Sequence, residues 1–458
     1  MAEYTATFES TLITLLAAKK YAAIRDILST MNGADVAAIF DEIEPKQIPL
    51  MFRLLPKELA AETFVEMHPE DQELLIKGFS DAELHEVINE LYVDDAADLV
   101  EEMPANVVRR ILEQADPQMR KEINDILRFP ENSAGSIMTT EYVSLFREMT
   151  VDEAIARIRR TAYDKETIYT CYILSKDRKL LGFISIKNLL LRGTDDVTIG
   201  DIMDTNVISV TTSTDQEEVA QMLSKYNFLA LPVVDEENRM VGIVTFDDAM
   251  DIIEEETTED IEKMAAMTPS DTSYLRSTSF DLFKHRIPWL LLLMVSATFT
   301  GMIITGFENA LAAQVVLTAF IPMLMDTGGN SGSQSSVMVI RSISLGELEF
   351  EDLPTVILKE LGTAAMCGGV LATACFGKMM LIDRLLLGNT SVTVLVAGVV
   401  CLTMALTVIV AKLIGCMLPL TAKKLGFDPA VMASPFITTI VDAVSLLVYF
   451  GIANLLLF

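Results

Sequence analysis

The chain has 458 residues, more than one ordinary hydrophobic core accommodates, so two or three domains are expected. The formal net charge is −30, and the 172 residues from Ile287 to Phe458 contain only 10 acidic and 7 basic side chains. The first 286 residues therefore hold 55 acidic and 28 basic side chains, a charge of about −27. Such a surface repels nucleic acid and attracts cations, which excludes a nucleic-acid-binding function.

The reactive residue types are sparse. Five cysteines form no CxxC pair and three histidines are scattered, so neither a disulfide framework nor a zinc site is expected. No nucleophile–base pair, Walker motif or HExxH sequence is present, and we predict that the chain is not an enzyme. The N-terminal segment lacks a basic region before its apolar residues, so it is not read as a signal peptide.

Residues 1–130 are predicted to form an acidic domain of short helices. Prolines or equivalent breaks recur about every twelve residues, and each interval carries apolar residues at helical spacing. This pattern indicates an all-α superhelix of stacked short helices. Its exposed face is rich in carboxylates, including Asp94 and Asp98.

Residues 136–255 contain an internal repeat of 60–65 residues, divided at 199/200. Each copy reads strand–helix–strand–strand–helix, and Leu181–Ile186 in the first copy matches Val241–Phe246 in the second. The repeat resembles a tandem pair of α/β CBS domains, a module that is usually regulatory. Many CBS domains bind adenine nucleotides through a Gly-x-x-Thr/Ser-x-x-Asp ending, which the second copy keeps (Gly242, Thr245, Asp248) while the first has Asn188. ATP or another adenine nucleotide is thus a candidate ligand of the pair.

Residues 256–280 are predicted to form an acidic connecting helix that leads to the membrane part. Stacking many carboxylates along one helix destabilises it by like-charge repulsion, and bound cations would relieve that repulsion. The segment is therefore a candidate switch element.

Residues 281–458 are predicted to cross a membrane five times, forming an α-helical bundle in contact with lipid. The apolar segments run roughly over 287–307, 312–340, 356–382, 391–420 and 430–457. Lysine and arginine are biased to the side that holds the N-terminus, which places the N-terminus in the cytosol and Phe458 outside. Lys412, inside the fourth span, is expected to extend its charge toward the interface.

Carboxylates inside these spans are the candidate ion contacts. Asp326 and Asp442 lie within apolar helices, where a charge is costly unless it faces protein or water. Asp428 precedes Pro429 at the cytosolic end of the last span, so helix capping and ion contact both remain open for it. Hydroxyl residues accompany Asp442 on the predicted helix face: Ser434, Thr438 and Ser445. One carboxylate among neutral oxygens suits Mg²⁺, which keeps several waters when bound.

The four parts, in this order and with the sequences PMLMDTGGNSGSQSS and DPAVMASPFITTIVDAVSLLVYF, resemble the MgtE family of Mg²⁺ channels and transporters over essentially the whole chain. The resemblance implies a homodimer in the plasma (inner) membrane, with its ion path on the two-fold axis. It also implies that Asp442 holds the hydrated ion with help from Asn330 and that Asp428 lies at the inner gate. Carboxylates that sense cytosolic Mg²⁺ match these positions: Asp94, Asp98, Asp215, Glu217, Asp248, Asp251, Glu256, Glu259 and Asp260.

The resulting hypothesis is Mg²⁺ uptake through a channel that closes when cytosolic Mg²⁺ is high. Two alternatives remain open. One is transport of another divalent cation such as Co²⁺. The other is a membrane-anchored CBS sensor whose spans serve only as an anchor, although an anchor has no use for Asp326, Asn330, Asp428 and Asp442.

Overall fold

The computed structural model describes residues 11–191, 197–270, 272, 274–432 and 434–457. The chain divides into two compact units, Met1–Ile253 and Glu254–Phe458.

The first unit begins with short helices, as the regular breaks predict. Residues 11–17 are helical, and nine further helices follow: α1 Tyr21–Leu28, α2 Gly33–Asp41, α3 Ile48–Phe52, α4 Lys57–Val65, α5 Pro69–Gly78, α6 Asp81–Ile88, α7 Val93–Glu102, α8 Ala105–Gln114 and α9 Pro117–Ile126. Proline occupies the first position of α5 and α9, where the missing N–H costs nothing. Ser80 and Glu83 form a reciprocal capping box on α6. One apolar core runs through all of these helices.

The repeat predicted from the sequence forms two small three-stranded sheets. The first copy contains β1 Tyr142–Phe146, α10 Val151–Thr161, β2 Thr167–Leu174, β3 Leu180–Ser185 and α11 Ile186–Leu191. The second contains α12 Ile199–Ile202, β4 Val210–Thr211, α13 Gln216–Tyr226, β5 Ala230–Val234, β6 Met240–Thr245 and α14 Phe246–Met264. In each sheet the first two strands are parallel and the last two antiparallel.

The two copies pack against each other through a shared apolar cluster. Tyr142 and Tyr172 of the first copy bury their rings beside Met240 and Ile243 of the second. The Tyr172 hydroxyl donates a hydrogen bond to the carbonyl of Ala230. A reciprocal backbone pair joins Thr139 to Ile243. The strand order and this pairing confirm the predicted α/β tandem arrangement.

Helix α14 is longer than the second copy requires. It runs for 19 residues through the boundary expected at 255/256 and ends at Met264, short of the expected 280. The acidic connecting segment is therefore a direct extension of the last helix of the repeat.

The second unit is built from five long helices: α15 Ser279–Gly306, α17 Ile321–Ser344, α18 Leu353–Lys378, α19 Val394–Lys424 and α20 Ser434–Leu457, with the short α16 Glu308–Ala313 after the first. A π-helical segment, Met379–Leu386, extends α18, and a 3₁₀ turn, Ala430–Met432, precedes α20. Among the described residues, four helical stretches are long and apolar enough to cross a membrane: Ser279–Gly306, Phe350–Leu386, Val394–Lys424 and Ala430–Leu457. Helix α17 is long enough, but the polar run after Asp326 lowers its hydropathy.

Glycines let α17 approach its neighbours closely. A Cβ added to Gly328 would lie 2.7 Å from Thr407 of α19 and 3.1 Å from Val441 of α20. A Cβ on Gly332 would lie 2.9 Å from Ile437, and one on Gly415 would collide with the Gly332 carbonyl oxygen. Small residues are the usual means of close helix packing in lipid. The glycines of the GGNSG run therefore position α17 between α19 and α20.

Candidate cation-binding sites

Asp326 and Asp442 come near each other where α17 packs beside α20. Asp326 lies on α17 and Asp442 on α20, and their carboxylates are close enough for their charges to repel. Asp442 is half-buried, whereas Asp326, Asn330 and Gln334 are exposed at four-residue intervals along one face of α17. This polar stripe and Asp442 together offer side-chain oxygen atoms that could contact a cation.

The hydroxyls predicted to share the Asp442 face are arranged differently from one another. Thr438 and Thr439 donate hydrogen bonds to the Pro435 carbonyl, which leaves their oxygen lone pairs free to accept. Ser445 is only 2% exposed, and its hydroxyl lies beside Gly328 in the seam with α17. The side chain of Ser434 lies outside the described residues.

Asp428 caps the turn before α20, as one of its two predicted roles requires, and it also pairs with a lysine. Its Oδ1 accepts a hydrogen bond of 2.7 Å from the Ala430 N–H and so caps the 3₁₀ turn before α20. Its Oδ2 lies 2.6 Å from the Nζ of Lys263 on α14. Lys263 also pairs with Glu259 one turn earlier. A lysine thus links two of the predicted metal-contact carboxylates, a partner that the sequence pattern did not identify.

Asp260 is fixed separately, on the same turn of α14. The Ser344 hydroxyl, at the end of α17, donates to its Oδ2 at 2.7 Å. Partial burial and the nearby Asp428 charge raise the pKa of Asp260, against the effect of the Ser344 bond. Met264 packs beside Ile340 and Ala430, which anchors the end of α14. Glu256, one turn earlier, is half-buried and has its own interaction within the structure.

An acidic cluster lies where α7 meets the CBS pair, inside the first unit. Asp94 is 7% exposed, and its charge interacts with those of Asp248, Asp95 and Glu166. The α7 N-terminus is bound to the pair because Glu141 accepts hydrogen bonds from the Val93 N–H and the Thr139 hydroxyl. The sequence predicted Asp94, Asp98 and Asp248 here, but it missed Asp95, Glu141 and Glu166.

Proton affinities in this acidic cluster are abnormal. Burial, followed by repulsion from Asp248, raises the pKa of Asp95 to about 7. Burial and the charges of Glu101 and Asp95 raise the pKa of Asp98 to about 8, although part of this side chain meets solvent. Burial and the Asp248 charge raise the pKa of Glu166 to about 8, and its buried Oε2 has no hydrogen-bond partner among the described residues. Groups this crowded favour either protons or a bound cation.

Of the three other predicted sensor positions, Asp251 interacts with this cluster through its charge, which raises the pKa of Asp248. Asp215 is exposed and accepts a hydrogen bond of 3.0 Å from the Glu217 N–H as the N-cap of α13. The Glu217 side chain accepts from Gln221. Asp251 lies exposed on α14. Among the described residues, no group of three or more histidine, cysteine or acidic side chains is placed to hold a metal ion.

An open cavity of about 360 Å³ lies where the end of the first CBS copy faces the first residues of the second. Its lining includes Phe183, Ser185, Asn188, Asp204 and Thr205. The equivalent ending of the second copy is more closed, because Asp248 is largely buried and accepts a 2.5 Å hydrogen bond from the Thr245 hydroxyl. This candidate nucleotide pocket thus lies beside Asn188.

The interface position expected for Lys412 is wrong. Lys412 is 4% exposed and directs its ammonium group to Ser335 and Glu360 on two neighbouring helices. A buried carboxylate within reach removes the reason for the side chain to extend toward water.

An acidic helical domain, paired CBS modules and a bundle of long apolar helices with carboxylates inside define a multi-pass membrane transport protein. Family models match all three parts: the MgtE intracellular N domain at 31–132, the CBS domain at 134–193 and 199–255, and MgtE, described as a divalent cation transporter, at 321–452. The chain belongs to the MgtE family.

Relatives match nearly the full length. The magnesium transporter MgtE of Thermus thermophilus is 37% identical over 439 residues, 95% of each chain. The magnesium transporter MgtE of Bacillus subtilis is 32% identical over 97% of this chain and 96% of its own. A crystal structure of the cytosolic domain of the Mg²⁺ channel MgtE in complex with ATP covers 53% of this chain and 99% of that one, with 37% identity and a TM-score of 0.51. These relatives are transporters and channels, which agrees with the prediction that the chain is not an enzyme.

Proposed function

We propose that the chain carries Mg²⁺ across the plasma membrane into the cytosol. The observation that carries the proposal is the approach of Asp326, on the exposed α17 stripe with Asn330, to the half-buried Asp442 of α20. Mg²⁺ keeps most of its waters when bound and needs only one or two carboxylates. A membrane potential of 100 mV contributes about 2.3 kcal/mol per charge, so inward movement requires no ATP.

The path is assigned to a homodimer with its two-fold axis along the polar stripe of α17. Asp326, Asn330 and Gln334 are exposed in one chain, and a second copy would enclose them. Asp442 then contacts the hydrated ion, and Asp428 lies at the inner mouth. The N-terminal unit is cytosolic, and the C-terminus lies outside.

Cytosolic Mg²⁺ closes the path. In the first unit, Mg²⁺ that keeps its waters would lie against the crowded carboxylates and reduce their mutual repulsion. These carboxylates are Asp94, Asp95, Asp98, Glu166 and Asp248. In the second unit, Glu256, Glu259, Asp260 and Asp428 provide acceptors near the end of α14. Asp215, Glu217 and Asp251, which belong to the first unit, provide weaker sites. A nearly complete change between closed and open states needs about 5.5 kcal/mol, which several weak sites supply together.

Adenine nucleotide binding is a second function, favoured by the cavity beside Asn188. A relative's cytosolic domain has been solved with ATP. Ser185 and Asn188 offer polar groups for a ribose, and Phe183 offers a ring for a base. Titration calorimetry with ATP, using Ser185→Tyr to fill the cavity, tests this assignment. Unchanged ATP affinity in that variant would remove the cavity from the binding site.

Transport is tested by Mg²⁺ uptake in proteoliposomes that contain the purified chain and impose an inward potential. We expect Mg²⁺-dependent uptake that falls when Mg²⁺ is raised on the side of the N-terminal unit. Parallel assays with Co²⁺, Mn²⁺ and Ca²⁺ decide among the divalent cations. Uptake of none of these ions would leave the anchored sensor as the better description.

A further inference from the structure

A buried charge pair joins three helices of the membrane part. Lys412 of α19 places its Nζ 3.3 Å from the Ser335 Oγ of α17 and 3.9 Å from the Glu360 Oε2 of α18. The Ser335 hydroxyl donates to the same Glu360 oxygen at 2.6 Å. The serine therefore accepts from the ammonium group and donates to the carboxylate, so one hydroxyl connects both charges.

A buried ion pair of this kind stabilises helix packing only weakly. Taking a lysine and a glutamate out of water costs several kcal/mol per ion, and an apolar pair of similar size is often as stable or more so. Lys412 is almost completely buried, and the Glu360 side chain is 21% exposed. The packing contacts of α17 already come from its glycines, so the charges call for a different explanation.

The depth of the pair relative to the polar stripe provides that explanation. A Cβ on Gly332 would lie 3.1 Å from the Ala411 carbonyl, so Lys412 lies at the level of Gly332. Ser335 follows Asn330 by five residues, which is about 7.5 Å along the helix axis. A lone positive charge behind α17 at this depth would repel a divalent cation on the exposed side of the helix.

We propose that Lys412 and Glu360 are positioning residues for cation transport: joined through Ser335, they fix the orientation of α17 and cancel each other's charge behind the cation path. The proposal rests on the proposed function, because it takes the Asp326–Asn330 stripe as the path. The negative charge of Glu360 cancels the repulsion that Lys412 would exert on the cation. The positive charge of Lys412 likewise cancels the attraction that Glu360 would exert on it.

The test is Mg²⁺ uptake by the full chain in proteoliposomes. Glu360→Gln leaves a lone ammonium group and should raise the half-saturating Mg²⁺ concentration by about tenfold or more, since charges about 10 Å apart interact strongly in protein. Lys412→Gln leaves a lone carboxylate and should lower that concentration by about threefold or more. The double variant should return to within about twofold of the wild type. Matched controls are Lys359→Gln and Glu351→Gln, which remove exposed charges.

Thermal unfolding of the same purified proteins, without Mg²⁺, gives a readout that does not depend on transport. Each single variant should lose about 5 °C or more in Tm, and the double variant should recover most of the loss. The proposal would be overturned if both single variants shifted the half-saturating Mg²⁺ concentration in the same direction. Additive losses of Tm in the double variant would overturn it too. If the wild type takes up no Mg²⁺, the proposed function fails together with the role of the pair in the path, and the Tm values alone decide whether the two charges are coupled.

Discussion

The ammonium group of Lys263 lies 2.6 Å from a carboxylate oxygen of Asp428, so the last turn of α14 is bound to the turn that precedes α20. The pKa of Lys263 is raised: its partial burial opposes the charge, but the hydrogen bonds to Asp428 and Glu259 outweigh that effect. Asp428, the carboxylate proposed at the inner mouth, is thus already paired with a cationic side chain of the same protein, Lys263.

Lys263→Gln should weaken closure by high Mg²⁺. A half-buried ion pair contributes about 1 kcal/mol, so residual uptake at saturating cytosolic Mg²⁺ should rise by about fivefold. Uptake at low Mg²⁺ should change little, because that state does not require α14 to be bound. Proteoliposome flux at both Mg²⁺ levels measures the effect. Lys423→Gln, at an exposed position near the same end of α19, is the control, and an equal rise there would contradict the role of Lys263.

Asp442→Asn should reduce Mg²⁺ uptake by about a hundredfold or more while the protein still folds. The amide keeps the size of the side chain but removes the charge that contacts the ion, which costs several kcal/mol when the group is partly desolvated. Asp326→Asn should have a smaller effect in the same direction, because Asp326 is more exposed. Uptake by Mg²⁺-starved cells measures both variants. Glu308→Gln is the exposed control, and wild-type uptake by Asp442→Asn would remove Asp442 from the path.

The sequence predicted these intramembrane carboxylates because a charge within an apolar helix stands out without any knowledge of packing. The internal repeat likewise predicted the two three-stranded sheets, since its landmarks recur at equivalent strand positions. Regular proline breaks predicted the short helices of residues 1–130. Each of these signals is local, or repeats at a fixed interval.

Contacts between distant segments could not be predicted, because the sequence signals are local or periodic. Glu360 lies 52 positions before Lys412 on another helix, and no periodic pattern relates their depths in the bundle. Glu166 precedes β2 and comes close to Asp248 only once the two CBS copies have packed. Lys263 was an ordinary lysine in an acidic helix until the structure brought it to Asp428. Long-range packing, rather than any local preference, creates these contacts.

The acidic cluster should make Mg²⁺ and protons compete. Asp95, Asp98 and Glu166 have folded-state pKa values of about 7 to 8, raised from ordinary values near 4, so their protonated forms favour the folded state. That stabilisation is complete below about pH 4 and is lost as the pH rises through 8. Without Mg²⁺, the Tm of the transition assigned to the first unit should therefore fall between pH 5 and pH 8.5.

Added Mg²⁺ should reverse that fall. At about 100 times its dissociation constant, a bound ion contributes about 2.7 kcal/mol, enough to raise the Tm by about 5 °C at pH 8. At pH 6 the rise should be smaller, because protons already occupy the carboxylates. Scanning calorimetry of the full chain in detergent at both pH values measures the difference. Asp98→Asn should reduce the rise at pH 8, whereas Asp35→Asn, an exposed substitution on α2, should not. Equal rises at both pH values would mean that Mg²⁺ acts elsewhere.

Gly415→Ala should damage the bundle more than Gly398→Ala on the same helix. The new Cβ would collide with the Gly332 carbonyl oxygen, which belongs to a helix backbone and cannot rotate away. Overpacking of this kind costs about 1–3 kcal/mol, and here it would also push α17 away from α19 and disturb the Asp326–Asn330 stripe. We therefore expect a lower Tm in detergent and a loss of Mg²⁺ uptake larger than the loss of folded protein. Gly398→Ala, on the same helix, is the matched control, because a Cβ at Gly398 would have no neighbouring atom within 4 Å. Wild-type stability and uptake in Gly415→Ala would show that α17 and α19 do not need this contact.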